Sequence, residues 1–214
     1  MRPMELPQPD PDALAASRAL LERIGAELAA QGNWISFARY MELALHEPGL
    51  GYYAGGARKL GAGGDFVTAP ELSPLFARTL ARQVARLLRP GEALLEFGAG
   101  SGALAAAVLD ELKDVPYLIL EPSAELAQRQ RARIGARATW VSRLPERFCG
   151  VMLANEVVDA MPVHAVAWTP QGVLERGVCE NEGHLAWSER PAQGAVREAA
   201  RATPIEQPPP GRYE

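Results

Sequence analysis

Apolar positions fall into two periods along this chain. Between Ala13 and Ala30, Leu14, Leu21, Ile24 and Leu28 recur at helical spacing, and Ser36 reads as the N-cap of a second helix running through Leu45. Ser73 to Leu88 predicts a further helix with Leu75, Phe76, Leu80, Val84 and Leu87 as its apolar stripe. From Ala93 onward, short apolar runs alternate with helical segments. Ala93 to Phe97, Tyr117 to Leu120, Ala138 to Val141 and Gly150 to Ala154 read as strands, and Ala103 to Leu112 and Ser123 to Ile134 as the helices that cross between them. Such alternation predicts a parallel sheet with helices on both faces. After Pro162 the runs VHAVAWT, GVLERGVCE and HLAWSE, separated by turn residues, predict a small antiparallel meander inserted into or appended to that sheet.

Two stretches carry no such period. The proline-rich start, Met1 to about Asp12, is expected to be mobile. Glu47 to Pro70, EPGLGYYAGGARKLGAGGDFVTAP, is glycine-rich and irregular, which fits either disorder or function. Its aromatic residues Tyr52, Tyr53 and Phe66 argue against a plain linker. The organisation expected is a helical and glycine-rich region over residues 1–72, an α/β core over 73–162, and the meander with its tail over 163–214.

Candidate chemistry concentrates where the first core strand ends. Leu94 to Gly102 reads LLEFGAGSG, an apolar strand carrying Glu96 that runs into Gly98, Gly100 and Gly102 and then into the helix beginning near Ala103. A strand that turns this sharply into a helix points backbone N–H groups outward, and residues without Cβ let a ligand lie against them. The next strand ends in Glu121, about 20 residues beyond the glycines, where an acid grips a ribose diol. Two cofactor classes fit. Read as GxGxxG/A, the turn suits a dinucleotide; read as ExGxGxG, it suits S-adenosylmethionine. The carboxylate of Glu96 favours the second, because it complements a sulfonium and opposes a pyrophosphate. A tight βα turn without a ligand is the plain alternative.

Asn155 and Glu156 follow the fourth strand in the run AsnGluValValAspAlaMetPro, and in open α/β sheets ligands bind beyond the carboxyl ends of the strands. Asp159 stands three residues further, one turn away on a helix, so two carboxylates would converge on one substrate nitrogen. The plain alternative is that Asn155 caps a short helix and both acids are solvated.

Composition narrows the classes of function. The 214 residues are 48% hydrophobic, enough for a core, and the net charge of −4 is spread without a basic stripe for nucleic acid. No apolar run reaches the length that spans a bilayer, and the N-terminus lacks a basic and apolar leader. Cys149 and Cys179 have neither metal-ligand spacing nor the number for a disulfide framework, so a reducing cytoplasm is expected and no metal site.

The runs ISFARYMELALHEPGLGYYAGG, GAGGDFVTAPELSPLF, LLEFGAGSGAL and LANEVVDAMPV together resemble the MidA-type family of methyltransferases, over Ile35 to Val163. The resemblance implies a Rossmann-like, class I S-adenosylmethionine-dependent fold with an N-terminal helical extension and a small antiparallel β insertion. It implies S-adenosyl-L-methionine as cofactor, and methylation of an arginine on a protein partner such as a respiratory complex I subunit; a homodimer is compatible with it. By the same resemblance Gly64, Asp65, Phe66, Thr68, Pro70 and Glu71 line the active site, Glu96, Gly98, Gly100, Gly102 and Glu121 form the cofactor motif, and Asn155, Glu156 and Asp159 form the motif after the fourth strand. Carboxylates that grip a guanidinium bidentately align it and ease loss of its proton, which makes Glu156 and Asp159 the expected catalytic pair. Asp65 is a third catalytic candidate, or else an anchor of its own loop. Tyr52 and Tyr53 line a pocket or pack in a core, and His46 and His164 read as structural or exposed. In the family, a segment like the terminal GlyArgTyrGlu is followed by a further helix and an apolar strand, so the closing members of the sheet are expected to be missing. Two alternatives stand beside this reading: an NAD(P)-dependent oxidoreductase, and a non-catalytic assembly module that keeps the fold.

Overall fold

The computed structural model describes residues 9–54 and 68–204. Its elements in chain order are α1 (Pro11–Ala30), β1 (Ile35–Ser36), α2 (Phe37–His46), α3 (Ala69–Leu72), α4 (Pro74–Leu87), β2 (Ala93–Phe97), α5 (Ala103–Glu111), β3 (Tyr117–Leu120), α6 (Ala124–Ile134), β4 (Thr139–Val141), β5 (Gly150–Ala154), β6 (Ala165–Thr169), β7 (Gly172–Asn181), β8 (His184–Pro191) and α7 (Gly194–Ala202). Helix starts follow capping chemistry. Asp10 accepts from the Ala13 N–H at 2.7 Å with Pro11 in the first turn, so α1 begins two residues earlier than its apolar period. Ser36, Ser73 and Ser123 likewise stand outside α2, α4 and α6 as caps that accept from Arg39, Leu75 and Leu126.

The chain divides into two compact units, Ala57–Ala160 and the combination of Met1–Gly56 with Met161–Glu214. The N-terminal helices and the meander, placed in separate segments by their order in the sequence, therefore share one unit. The link is β1, a two-residue strand that pairs antiparallel with β7 through Ile35↔Val178 and Ser36↔Gly177. On β7, β8 occupies one side, while β6 and β1 pair with successive stretches. Ile24, Leu28, Ile35, Leu43 and Val178 form the core between α1, α2 and this sheet. Gly177 is required here: a Cβ at this position would stand 2.2 Å from the Ile35 carbonyl oxygen and 2.5 Å from the Trp34 ring. Tyr52 and Tyr53 belong to this unit, meeting edge to face at 5.0 Å, with Tyr53 stacked on His46 at 5.7 Å. His164 holds Glu175 at 2.7 Å.

The other unit is built on a parallel sheet in the order β4-β3-β2-β5. Leu94, Tyr117, Ile119 and Leu153 share one core cluster with Ala77, Ala81 and Val84 of α4, Leu104 and Val108 of α5, and Ile134 of α6. Because β2 leads through α5 to β3 on one side and pairs with the later β5 on the other, the chain reverses its direction of travel across the sheet at β2. Ligand crevices of open α/β sheets lie at that point, beyond the strand's carboxyl end.

Candidate functional site

The segment after Phe97 forms the tight turn that its glycines require. Gly98, Gly100 and Gly102 have φ of 53°, 54° and 79°, a left-handed region that strains any side chain with a Cβ. At Gly102, the N-cap of α5, a Cβ would also stand 3.2 Å from Ile134 Cδ1. The Gly98 N–H donates to the Leu120 carbonyl at 2.9 Å, which ties the turn to the end of β3. Among the described residues no acceptor is bonded to the N–H groups of Gly100 and Ser101. Ser101 is held from two directions: its hydroxyl is bonded to Glu71, and Arg133 donates to the same Oγ at 2.8 Å. Glu71 on α3 thus reaches this loop, while Thr68 stands at the N-cap of that helix and Pro70 in its first turn. Gly64, Asp65 and Phe66 lie outside the described residues.

Glu121 is half-buried at the end of β3, and burial pushes its carboxyl above the ordinary range. Ser123 N–H donates to one oxygen at 3.0 Å, and Gln130 Nε2 donates to the other at 2.9 Å. Each carboxylate oxygen keeps a further lone pair, so the acid retains acceptors for a diol. Gln130 is a residue that sequence reasoning missed, because a glutamine on a helix rich in arginine reads as surface.

Glu96 stands elsewhere. Its side chain is on the core face of β2, only 2% exposed, and accepts the Tyr117 hydroxyl at 2.8 Å. Burial raises its pKa to about 7, an effect opposed by the Tyr117 hydrogen bond and reinforced by Glu121. Glu96 stands on β2, two residues before Gly98.

After β5, Asn155 is half-buried and Glu156 is exposed, with φ of 52°. A 3₁₀ turn, Val158–Ala160, begins only after this left-handed residue. Glu156 and Asp159 consequently do not share a helical face, although both are exposed acids just beyond the strand end. The left-handed conformation of a glutamate is uncommon and marks a constrained turn. Among the described residues no group of three or more His, Cys, Asp or Glu side chains is placed to hold a metal ion.

A family model for S-adenosyl-L-methionine-dependent methyltransferases matches residues 75–214. The mitochondrial protein arginine methyltransferase NDUFAF7 of Danio rerio is 31% identical, across 82% of this chain and 51% of its own length. Its homolog in Drosophila melanogaster is 29% identical, across 76% and 45% respectively. A solved structure from Burkholderia thailandensis, bound to S-adenosyl-homocysteine, is 49% identical with a TM-score of 0.81, covering 94% of this chain and 57% of that one. The chain spans about half the length of the curated relatives it matches.

Two expectations change. The matches are to methyltransferases, which sets the dinucleotide reading aside. The curated relatives are named mitochondrial, which overturns the cytoplasmic placement. Cys149 and Cys179 are free thiols. No helix among the described residues is long and apolar enough to cross a membrane.

Proposed function

Because this chain belongs to the family of S-adenosyl-L-methionine-dependent methyltransferases, we propose that it binds S-adenosylmethionine and methylates an arginine of a protein partner. The observation that carries this reading is the convergence, at the switch point of the sheet, of a left-handed glycine turn with a half-buried acid on the neighbouring strand. The residues present fit the cofactor. Gly98, Gly100 and Gly102 allow close backbone approach, and the Gly100 and Ser101 N–H groups, bonded to no acceptor among the described residues, are left as donors for a ligand. Glu121 accepts the ribose hydroxyls with its remaining lone pairs. When bound, S-adenosylmethionine supplies an electrophilic methyl group on a positively charged sulfur.

The chain's own work is then positioning. Methyl transfer is an in-line displacement that needs its two reacting atoms held about 3–3.5 Å apart in a water-poor site. Glu156 and Asp159, with Asp65 from the glycine-rich segment, are assigned to the substrate guanidinium. Their carboxylates orient its planar fork through paired hydrogen bonds and take up the proton it sheds. Support for Glu156 comes from its left-handed backbone, since strain of this kind collects at functional turns. By the family resemblance, the partner is a subunit of respiratory complex I.

The test is to incubate the chain with S-adenosylmethionine labelled in its methyl group and with complex I subunits, then locate the label by mass spectrometry. Label on arginine side chains is the expected result. Label confined to lysine, or transfer that is insensitive to Glu156→Gln, would contradict the assignment.

A further inference from the structure

Gln130 on α6 is fully buried at 0% exposure, and it joins the two loops that the proposed cofactor site is made from. Its Nε2 donates to the Gly100 carbonyl at 3.0 Å and to Glu121 at 2.9 Å. Its Oε1 accepts the Trp140 indole N–H at 2.8 Å, from β4. That last bond decides which way the amide points. An indole is a donor only, so the glutamine must turn its oxygen toward Trp140 and both its N–H groups toward the loops. Any buried glutamine must bond its amide, so what distinguishes this one is the identity of its partners. This one spends both its hydrogens on a glycine-loop carbonyl and on the acid assigned to the ribose.

We infer that Gln130, oriented by Trp140, is the positioning residue that sets Glu121 against the glycine loop, and so determines preference for a ribose over a deoxyribose. The inference rests on the cofactor reading above. Without the Gln130 amide, Glu121 keeps only the Ser123 N–H as donor, so its carboxylate is free to turn away from the loop and its ionised form is less favoured. The effect is selective. A ligand that offers both ribose hydroxyls to Glu121 loses by the change, whereas one lacking the 2′-hydroxyl has less to lose.

Calorimetric titration of S-adenosyl-homocysteine and its 2′-deoxy analogue tests this, using the full chain as wild type, Gln130→Met and Trp140→Phe. The wild type should prefer the ribose ligand, and Gln130→Met should lose about tenfold of that preference, as expected for one hydrogen bond to a charged group. The acid limb of S-adenosyl-homocysteine binding should also move to higher pH, because Glu121 loses a donor that favours its charged form. Trp140→Phe leaves the amide in place but frees it to turn, so a smaller loss in the same direction is expected even where Gln130→Met does not fold. Variants that weaken both ligands equally, with an unchanged pH profile, would show a packing role and overturn the inference alone. A wild type that does not distinguish the ligands would overturn it together with the role of Glu121, and one that binds neither would overturn the cofactor reading as well.

Discussion

Tyr117 on β3 donates its hydroxyl hydrogen to Glu96 on β2 at 2.8 Å, inside the core face of the parallel sheet. Glu96 on β2 precedes Gly98 by two residues, and burial raises its pKa to about 7 from an ordinary value of 4.5. The same burial, with Glu96 beside it, pushes the Tyr117 phenol upward. A folded pKa above the unfolded one means that the folded state keeps a proton the unfolded state releases. The contribution of Glu96 is therefore fully present below about pH 4.5 and is lost as pH rises through about 7. Glu96→Gln keeps an acceptor for Tyr117 and removes the titration. It should flatten the fall in stability across that window, by an amount on the order of 3 kcal/mol at most. Denaturant midpoints from pH 4 to 8 measure it, and parallel curves for the two proteins would show that Glu96 does not titrate there.

The raised pKa of Glu96 also makes cofactor charge visible. S-adenosylmethionine carries a positive sulfur and S-adenosyl-homocysteine a neutral one, while their ribose, base and amino-acid parts are the same. A nearby positive charge favours the ionised carboxylate. The affinity of the charged ligand relative to the neutral one should rise from pH 6 to pH 8 in the wild type and stay level in Glu96→Gln. A level ratio in both would separate Glu96 from the ligand's sulfur.

Glu156 allows function and stability to be pulled apart. Its left-handed backbone is one that glycine adopts without strain, so Glu156→Gly should keep or raise thermal stability, by up to about 1 kcal/mol. Methyl transfer should nevertheless be abolished, as in Glu156→Gln, with S-adenosyl-homocysteine still bound. Turnover at the wild-type rate in either variant would remove Glu156 from the site.

The parallel sheet is legible in the sequence because its strands are short apolar runs bounded by turn residues, and β2, β3 and β5 begin and end where that pattern does. The glycine turn is legible for the same local reason. What escapes is set by distance or by the backbone. β1 is a two-residue strand whose partner on β7 lies far along the chain, and no local period announces it. α7, GAVREAARA, buries little beyond Ala200, so its apolar stripe is too thin to stand out. Glu156 breaks the expected helix by a φ value that composition does not carry. Gln130 and Trp140 meet only once α6 has packed on β4's sheet.

Gly177 is the plainest test of the β1–β7 junction. A Cβ there meets the Ile35 carbonyl oxygen and the Trp34 ring at distances no side chain tolerates, so backbone or ring must move. Gly177→Ala should lower stability by about 1–3 kcal/mol, the usual penalty of overpacking. A denaturation midpoint equal to the wild type's would mean that β1 is not held against β7 in this register.

The central claim is that the turn from Gly98 to Gly102, with Glu121, is a site for S-adenosylmethionine, and calorimetry reads it most directly. Titrating the purified chain with S-adenosyl-homocysteine, and with NADH in the same buffer, should give saturable binding of the first ligand alone, weakened by Glu121→Ala. Binding of NADH in its place, or of neither ligand by a folded chain, would contradict the account.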